Sequence, residues 1–140
     1  SAASDVYKRQ NLVDYKKHIN KLGDAVALNG IISHDMSIAK TVKKNTANDI
    51  VLEQGTKSIH YEWQEDVVLR ITDLSTDSFH ITVKNIENNF MDRSQTRSDG
   101  MIDELKFTSI VEGQEFIFSF EKQYGSDILV EAEKISDGKY

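Results

Sequence analysis

The stretch Asn11–Lys44, NLVDYKKHINKLGDAVALNGIISHDMSIAKTVKK, decides how the rest of the chain is read. Leu12, Tyr15, Ile19, Leu22 and Val26 follow one another at alternating spacings of three and four, and Ile32, Met36 and Ala39 carry the stripe onward. That is the period of a helix with one apolar face. The spacing predicts a single amphipathic helix over 11–44, about 50 Å long at ~1.5 Å per residue. Val26 is then expected to pack against the rest of the fold. Lys16, Lys17, Lys21, Lys40, Lys43 and Lys44 fall off the stripe and suit a solvated face. Gly23 and Gly30 sit inside the helix at a cost of about 1 kcal/mol each relative to Ala, which close packing or a mild bend would explain.

Downstream of this stretch the pattern changes to that of strands. Asn45-Thr46-Ala47-Asn48-Asp49 is a run of turn formers that should stop the helix. Ile50 and Leu52, then Ile59, Tyr61 and Trp63, then Val67, Leu69 and Ile71 with Arg70 on the opposite side, then Phe79, Ile81 and Val83, alternate with polar residues. The turns between them are too short for crossover helices, so the sheet should be antiparallel. Residues 87–100 are polar and read as a long loop, the place where a surface function would sit. Ile102, Leu105 and Phe107, then Phe116, Phe118 and Phe120, then Ile128, Leu129 and Val130 supply the remaining strands, and the charged tail from Glu131 should fray. The expected fold class is α+β: one long N-terminal helix, 11–44, on an antiparallel sheet of about seven strands spanning 49–131. Such a sheet is ~30 Å wide at ~4.8 Å per strand, so the helix should overhang it.

Composition bounds the function. A chain of 140 residues with 39% hydrophobic and 29% charged side chains is the size of one domain, here 11–140. No apolar run approaches the ~20 residues that cross a bilayer. The chain has no cysteine, which removes thiolate nucleophiles, disulfides and Cys-ligated metals. The net charge of −6 is uneven: residues 1–44 hold eight Lys and Arg against four Asp, and residues 45–140 hold nine against nineteen acids. A basic helix against an acidic sheet, or against an acidic neighbour, explains this better than a nucleic acid. The lysines lack aromatic or arginine interleaving, and the pI is about 5.2. Ser1–Gln10, SAASDVYKRQ, has neither an initiator Met nor a signal-peptide pattern and reads as a translated sequencing-adapter remnant, so it is set aside.

Chemistry is sparse. His18 and His34 are too far apart on one helix to share a ligand, and His60 and His80, which could pair if their strands were neighbours, also read as ordinary surface residues. None of the HExxH, GxGxxG, GxxxxGK[ST] or GxSxG motifs occurs. Asp92, Asp99 and Asp103 around the polar loop offer oxygen ligands, but the alternating pattern of a calcium loop with its central glycine and closing glutamate is missing. The expectation is no enzyme, no cofactor and no metal. Tyr61 and Trp63 are expected in the core rather than lining a ligand groove.

The order of elements resembles that of the soluble body of type IV pilin-like proteins, most nearly the minor pseudopilins of type II secretion systems in Bacteroidetes-like bacteria. The residues that carry the resemblance are Asp49-Ile-Val-Leu, then Ser58-Ile-His-Tyr-Glu-Trp, then Val67-Val-Leu-Arg-Ile, in which Ile59 and Tyr61 form an I-x-Y strand and Leu69 and Arg70 a hydrophobic–Arg pair. Asp77-Ser-Phe79 and Lys122-Gln-Tyr124 add to it, and the likeness covers about Leu12 to Val130. The prepilin signature, a basic leader, a Gly and Phe-Thr-Leu-Ile-Glu opening a hydrophobic helix, is not in this sequence and is expected upstream of it. The resemblance implies a bacterial structural subunit of a pilus or pseudopilus, held at the periplasmic face of the inner membrane by that missing helix, with other pilin or pseudopilin subunits as partners, no nucleic acid and no reaction. It makes Leu12, Tyr15, Ile19 and Leu22 the candidate assembly interface. An overhanging apolar stripe marks an interaction surface on physical grounds as well. The rival readings are a helix-on-curved-sheet ligand-binding or enzymatic domain with Tyr61, Trp63 and Phe116–Phe120 around a pocket, and a soluble phage or secretion-apparatus structural protein.

Overall fold

A computed structural model describes the backbone over residues 22–136 and side chains over 22–132. The first element is a helix, α1, described over 22–38. Among the described residues nine strands follow: β1 (Thr41–Thr46), β2 (Asp49–Gln54), β3 (Lys57–Trp63), β4 (Val68–Ile71), β5 (Thr76–Phe79), β6 (Thr82–Phe90), β7 (Arg93–Ser94), β8 (Glu104–Val111) and β9 (Gln114–Glu121). A short helix, α2 (Ser126–Ser136), is the last described element.

The strands form two antiparallel sheets, one of five strands in the order β1-β2-β3-β4-β5 and one of four in the order β7-β6-β8-β9. This corrects the expected architecture: the fold is mostly β, and no single helix of 11–44 lies across one sheet of seven strands. Thr41–Lys44, read as the end of the helix, is strand, and with Asn45 and Thr46 of the expected helix stop it makes β1. Its β-branched Thr41 and Val42 pair with Glu53 and Leu52, and Val42 is fully buried. A partner strand lies one turn away, and a continuous ladder with a buried Val outweighs the weak helical preference of this segment. Lys40 starts the ladder, its N–H donating to the Glu53 carbonyl at 2.7 Å.

Three other segments differ from expectation for related reasons. Ile128-Leu129-Val130, read as strand, opens α2. A three-residue apolar run has no period of its own, and Ala132, buried at helical spacing from Ile128 and Leu129, settles it. The polar 87–100 loop is half strand: β6 runs on to Phe90, and Met91 and Asp92, both at positive φ (51° and 63°), make a tight turn into β7. The polar side chains hide the strand because they pair with one another, Asn89 Nδ2 donating to Glu104 Oε1 at 2.8 Å. In β4 the inward residues are Val68 and Arg70, one step from the Val67-Leu69-Ile71 phase. Val68 sits opposite Trp63 and Phe79, both buried, and a one-residue slip reverses every side chain.

One core serves both sheets and α1. Ala25, Leu28, Ile32, Met36 and Ala39 of the helix segment pack on Ile50, Leu52, Tyr61 and Val68 of the first sheet and on Leu105, Phe107, Phe118 and Phe120 of the second. A run of rings bridges the sheets, Tyr61 to Trp63 at 6.0 Å, Trp63 to Phe107 at 5.4 Å and Phe107 to Phe118 at 4.7 Å between centroids. The sheets are also stitched along β1, where the Lys44 N–H donates to the Gly100 carbonyl at 2.8 Å and the Ile102 N–H to the Val42 carbonyl at 2.9 Å.

Candidate functional site

The buried face of α1 is not the stripe that opens the sequence. Ala25, Leu28, Ile32 and Met36 face the core, whereas Val26 is 66% exposed and Leu22 44%. At about 100° per residue, Leu22 and Val26 lie roughly 90–130° around the helix from the centre of the buried face. The expectation that Val26 packs on the sheet is therefore overturned: small Ala25 takes the inward position and leaves Val26 outside. Of the candidate interface residues, Leu22 is exposed on α1. Leu12, Tyr15 and Ile19, with the upstream part of the 11–44 helix, lie outside the described residues.

What holds α1 down is independent of that outward face. Asp35, in the middle of the buried stripe and only 3% exposed, receives Arg70 Nε at 2.8 Å and Nη2 at 3.3 Å, and also the Tyr61 hydroxyl. Tyr61 and Arg70 are direct cross-strand partners on β3 and β4, which is why both reach one carboxylate. Burial, then the hydrogen bond and the charge of Asp35, push the Tyr61 hydroxyl well above the usual tyrosine range, so it stays a donor. The hydrogen bond to Asp35 leads the effects that raise the Arg70 guanidinium. The described part of the helix is tied at two further points. Asp24 Oδ2 accepts the His80 N–H at 2.9 Å, and Lys122 Nζ donates to the Ser37 carbonyl at 3.2 Å, where a helix C-terminus favours a cation.

Other candidates disperse. Tyr61, Trp63, Phe118 and Phe120 are buried in the core cluster, so the expected core role of the first two holds. His60 is on β3 in the first sheet and His80 in the link before β6, so their strands are not neighbours. Among the described residues no three His, Asp or Glu side chains are grouped to hold a metal ion, and Asp103 instead accepts the Met91 N–H at 3.0 Å. A groove of about 230 Å³ lies between α2 and the 95–101 segment, with Phe90, Met101, Ile128 and Ala132 as apolar lining and Lys43 and Arg97 among the polar residues. Its wall is held by Gln95, whose Nε2 donates to the Met101 carbonyl at 2.6 Å.

Sequence reasoning missed Asp35. The signal was present: a single carboxylate, three residues after Ile32 and four after Ile31, breaks an otherwise apolar stripe, and a buried acid needs a buried cation.

No protein-family model, curated protein or solved structure matches this chain. Among the described residues no helix is long and apolar enough to cross a membrane.

Proposed function

We propose that this chain is a structural subunit that works by protein–protein assembly, as a minor subunit of a pilus or pseudopilus in secretion or type IV pilus biogenesis, with the outward face of α1 as its contact to other subunits. The observation that carries the reading is the pair Leu22 and Val26, 44% and 66% exposed on a helix whose docking is already provided by its other face. Two large apolar residues one turn apart, unused by the fold, favour burial against a partner helix. In the sequence the same spacing continues through Ile19, Tyr15 and Leu12. In this reading the subunit stands on the periplasmic face of the inner membrane, and the resemblance set out above supplies the class of partner.

The absence of cysteine makes the test direct. Val26→Cys and Lys57→Cys, the latter at the exposed start of β3, are introduced into the full-length protein in its host, labelled with a maleimide–benzophenone reagent that needs no cysteine on the partner, and irradiated. The proposal expects adducts with pilin-type subunits from position 26 and few from position 57. Equal yields from the two positions would overturn it.

A further inference from the structure

Among the described residues the two sheets have four outer strands, and three are guarded. The outer edge of β1 is covered by Gly100–Ile102, β7 has only two residues, and β5 has four, with exposed Asp77 among them. The fourth, β9, runs for eight residues, QEFIFSFE, and carries Ile117 at 78% and Phe116 at 36% exposure. A long edge strand with exposed apolar residues is a template for another strand. We infer that β9 pairs antiparallel with β9 of a second copy of this chain, about a two-fold axis at Ile117, joining the two four-stranded sheets into one.

The phase of the hydrogen bonds supports that axis. The β8–β9 turn is the two-residue Glu112-Gly113, both at positive φ (52° and 76°), between the partners Val111 and Gln114. In such a hairpin the flanking pair is hydrogen-bonded and the pairs alternate from there. Phe116 and Phe118 therefore spend their backbone groups on β8. Glu115, Ile117 and Ser119 point theirs outward. An axis at Ile117 matches Ile117 with Ile117 and Glu115 with Ser119 of the other copy, which makes about six inter-chain backbone hydrogen bonds.

Charge and side-chain placement select this register and a second copy as occupant. Pairing must keep inward residues opposite inward ones, so the axis falls on a residue rather than between two. An axis at Phe118 would set Glu115 against Glu121 twice, and an axis at Glu115 would oppose that residue to itself. An axis at Phe116 or Ser119 avoids the clash but shortens the overlap to about five residues. With the axis at Ile117, Phe116 falls opposite Phe118 of the other copy. Glu115 also comes within two strands of Lys106, the direct partner of Ser119 on β8, about 10 Å away between Cα atoms and on the same sheet face. The two-fold repeats this opposite-charge contact on both sides. The surface is distinct from the α1 contact, so either can fail without the other.

An edge-to-edge pairing is small among specific interfaces, so the dimer is expected to form at concentrations on the order of 100 µM. Sedimentation velocity of the chain from ~10 to ~500 µM should show a monomer–dimer shift. Ile117→Lys, which places two lysines on the axis at an exposed position, should weaken dimerisation at least ~10-fold, and its thermal melt should match that of the parent. Lys106→Glu should weaken it too, and Glu115→Lys combined with Lys106→Glu should restore it. As a second readout, Ile117→Cys should be crosslinked by a short bismaleimide faster than Lys57→Cys. A chain that stays monomeric throughout, or an Ile117→Lys variant that dimerises like the parent, would overturn the inference.

Discussion

Arg70→Met removes the cation from a carboxylate that cannot reach water. Asp35 is 3% exposed, and Arg70 supplies two of the three side-chain hydrogen bonds it receives. Removing one partner of a buried pair typically costs about 3–5 kcal/mol, because the remaining charge is left uncompensated. Two features place the loss near ~3 kcal/mol: the Tyr61 hydroxyl still donates, and the Arg70 side chain is itself 20% exposed, so water can follow the vacated path. That is a large share of the ~5–15 kcal/mol that holds a domain together. The same reasoning gives Asp35→Leu combined with Arg70→Met a smaller loss than the sum of the two single variants, since the apolar pair leaves no buried charge and only the Tyr61 hydroxyl loses its acceptor. Urea unfolding of the parent, both single variants and the double variant at neutral pH measures all four corners, with an unchanged urea dependence as the check that only stability moved. A loss below ~1 kcal/mol for Arg70→Met, or a double variant weaker than the sum of the singles, would refute the argument that this pair docks α1.

Other perturbations have equally definite outcomes. The Tyr124 hydroxyl accepts the N–H of fully buried Val42 at 3.1 Å and donates to the Ile102 carbonyl, so Tyr124→Phe should cost about 1–3 kcal/mol in a thermal or urea melt. Burial alone would raise the Asp49 carboxyl, but donors from the Thr46 and Asn45 side chains and the Thr46 N–H outweigh it and hold it below its usual value of 3.8. A lowered acid stabilises above its unfolded pKa and loses that contribution as pH falls through the folded value. The deficit of Asp49→Asn should therefore be present at pH 7, at about 1 kcal/mol for a partly solvated site, and shrink below about pH 4 in paired melts.

The strands with strong alternation were legible because one face of each meets the core: Ile50 and Leu52, Tyr61 and Trp63, and Phe118 with Phe120 are all buried as their spacing implies. Sequence failed where two periods compete. Thr41–Thr46 carries lysines that suit a helix surface, and only its pairing with β2 reveals a strand. In α1 the spacing of Leu22 and Val26 is helical but belongs to the outward side, while Ala25 and Leu28 mark the core. The larger residues drew the stripe, although burial follows fit as well as hydrophobicity. Ser109 shows the same limit from the other side, fully buried in β8 between Phe107 and Val111 despite its hydroxyl. Asp35 itself was marked by its break in the apolar stripe, but its partners were not legible: they are brought together by register, Tyr61 opposite Arg70, and register is a property of the sheet rather than of any one segment.

The central claim separates the two sides of α1, and comparing Val26→Asp with Leu28→Asp tests it most directly. Val26 is 66% exposed and Leu28 is fully buried. Thermal melts of both variants, together with recovery of the full-length proteins in high-molecular-weight assemblies from host cells, give the answer. The account predicts that Val26→Asp melts within a few degrees of the parent, since exposed substitutions cost less than about 0.5 kcal/mol, yet is lost from the assemblies, while Leu28→Asp fails to fold. A Val26→Asp protein that unfolds like Leu28→Asp, or that assembles like the parent, would contradict it.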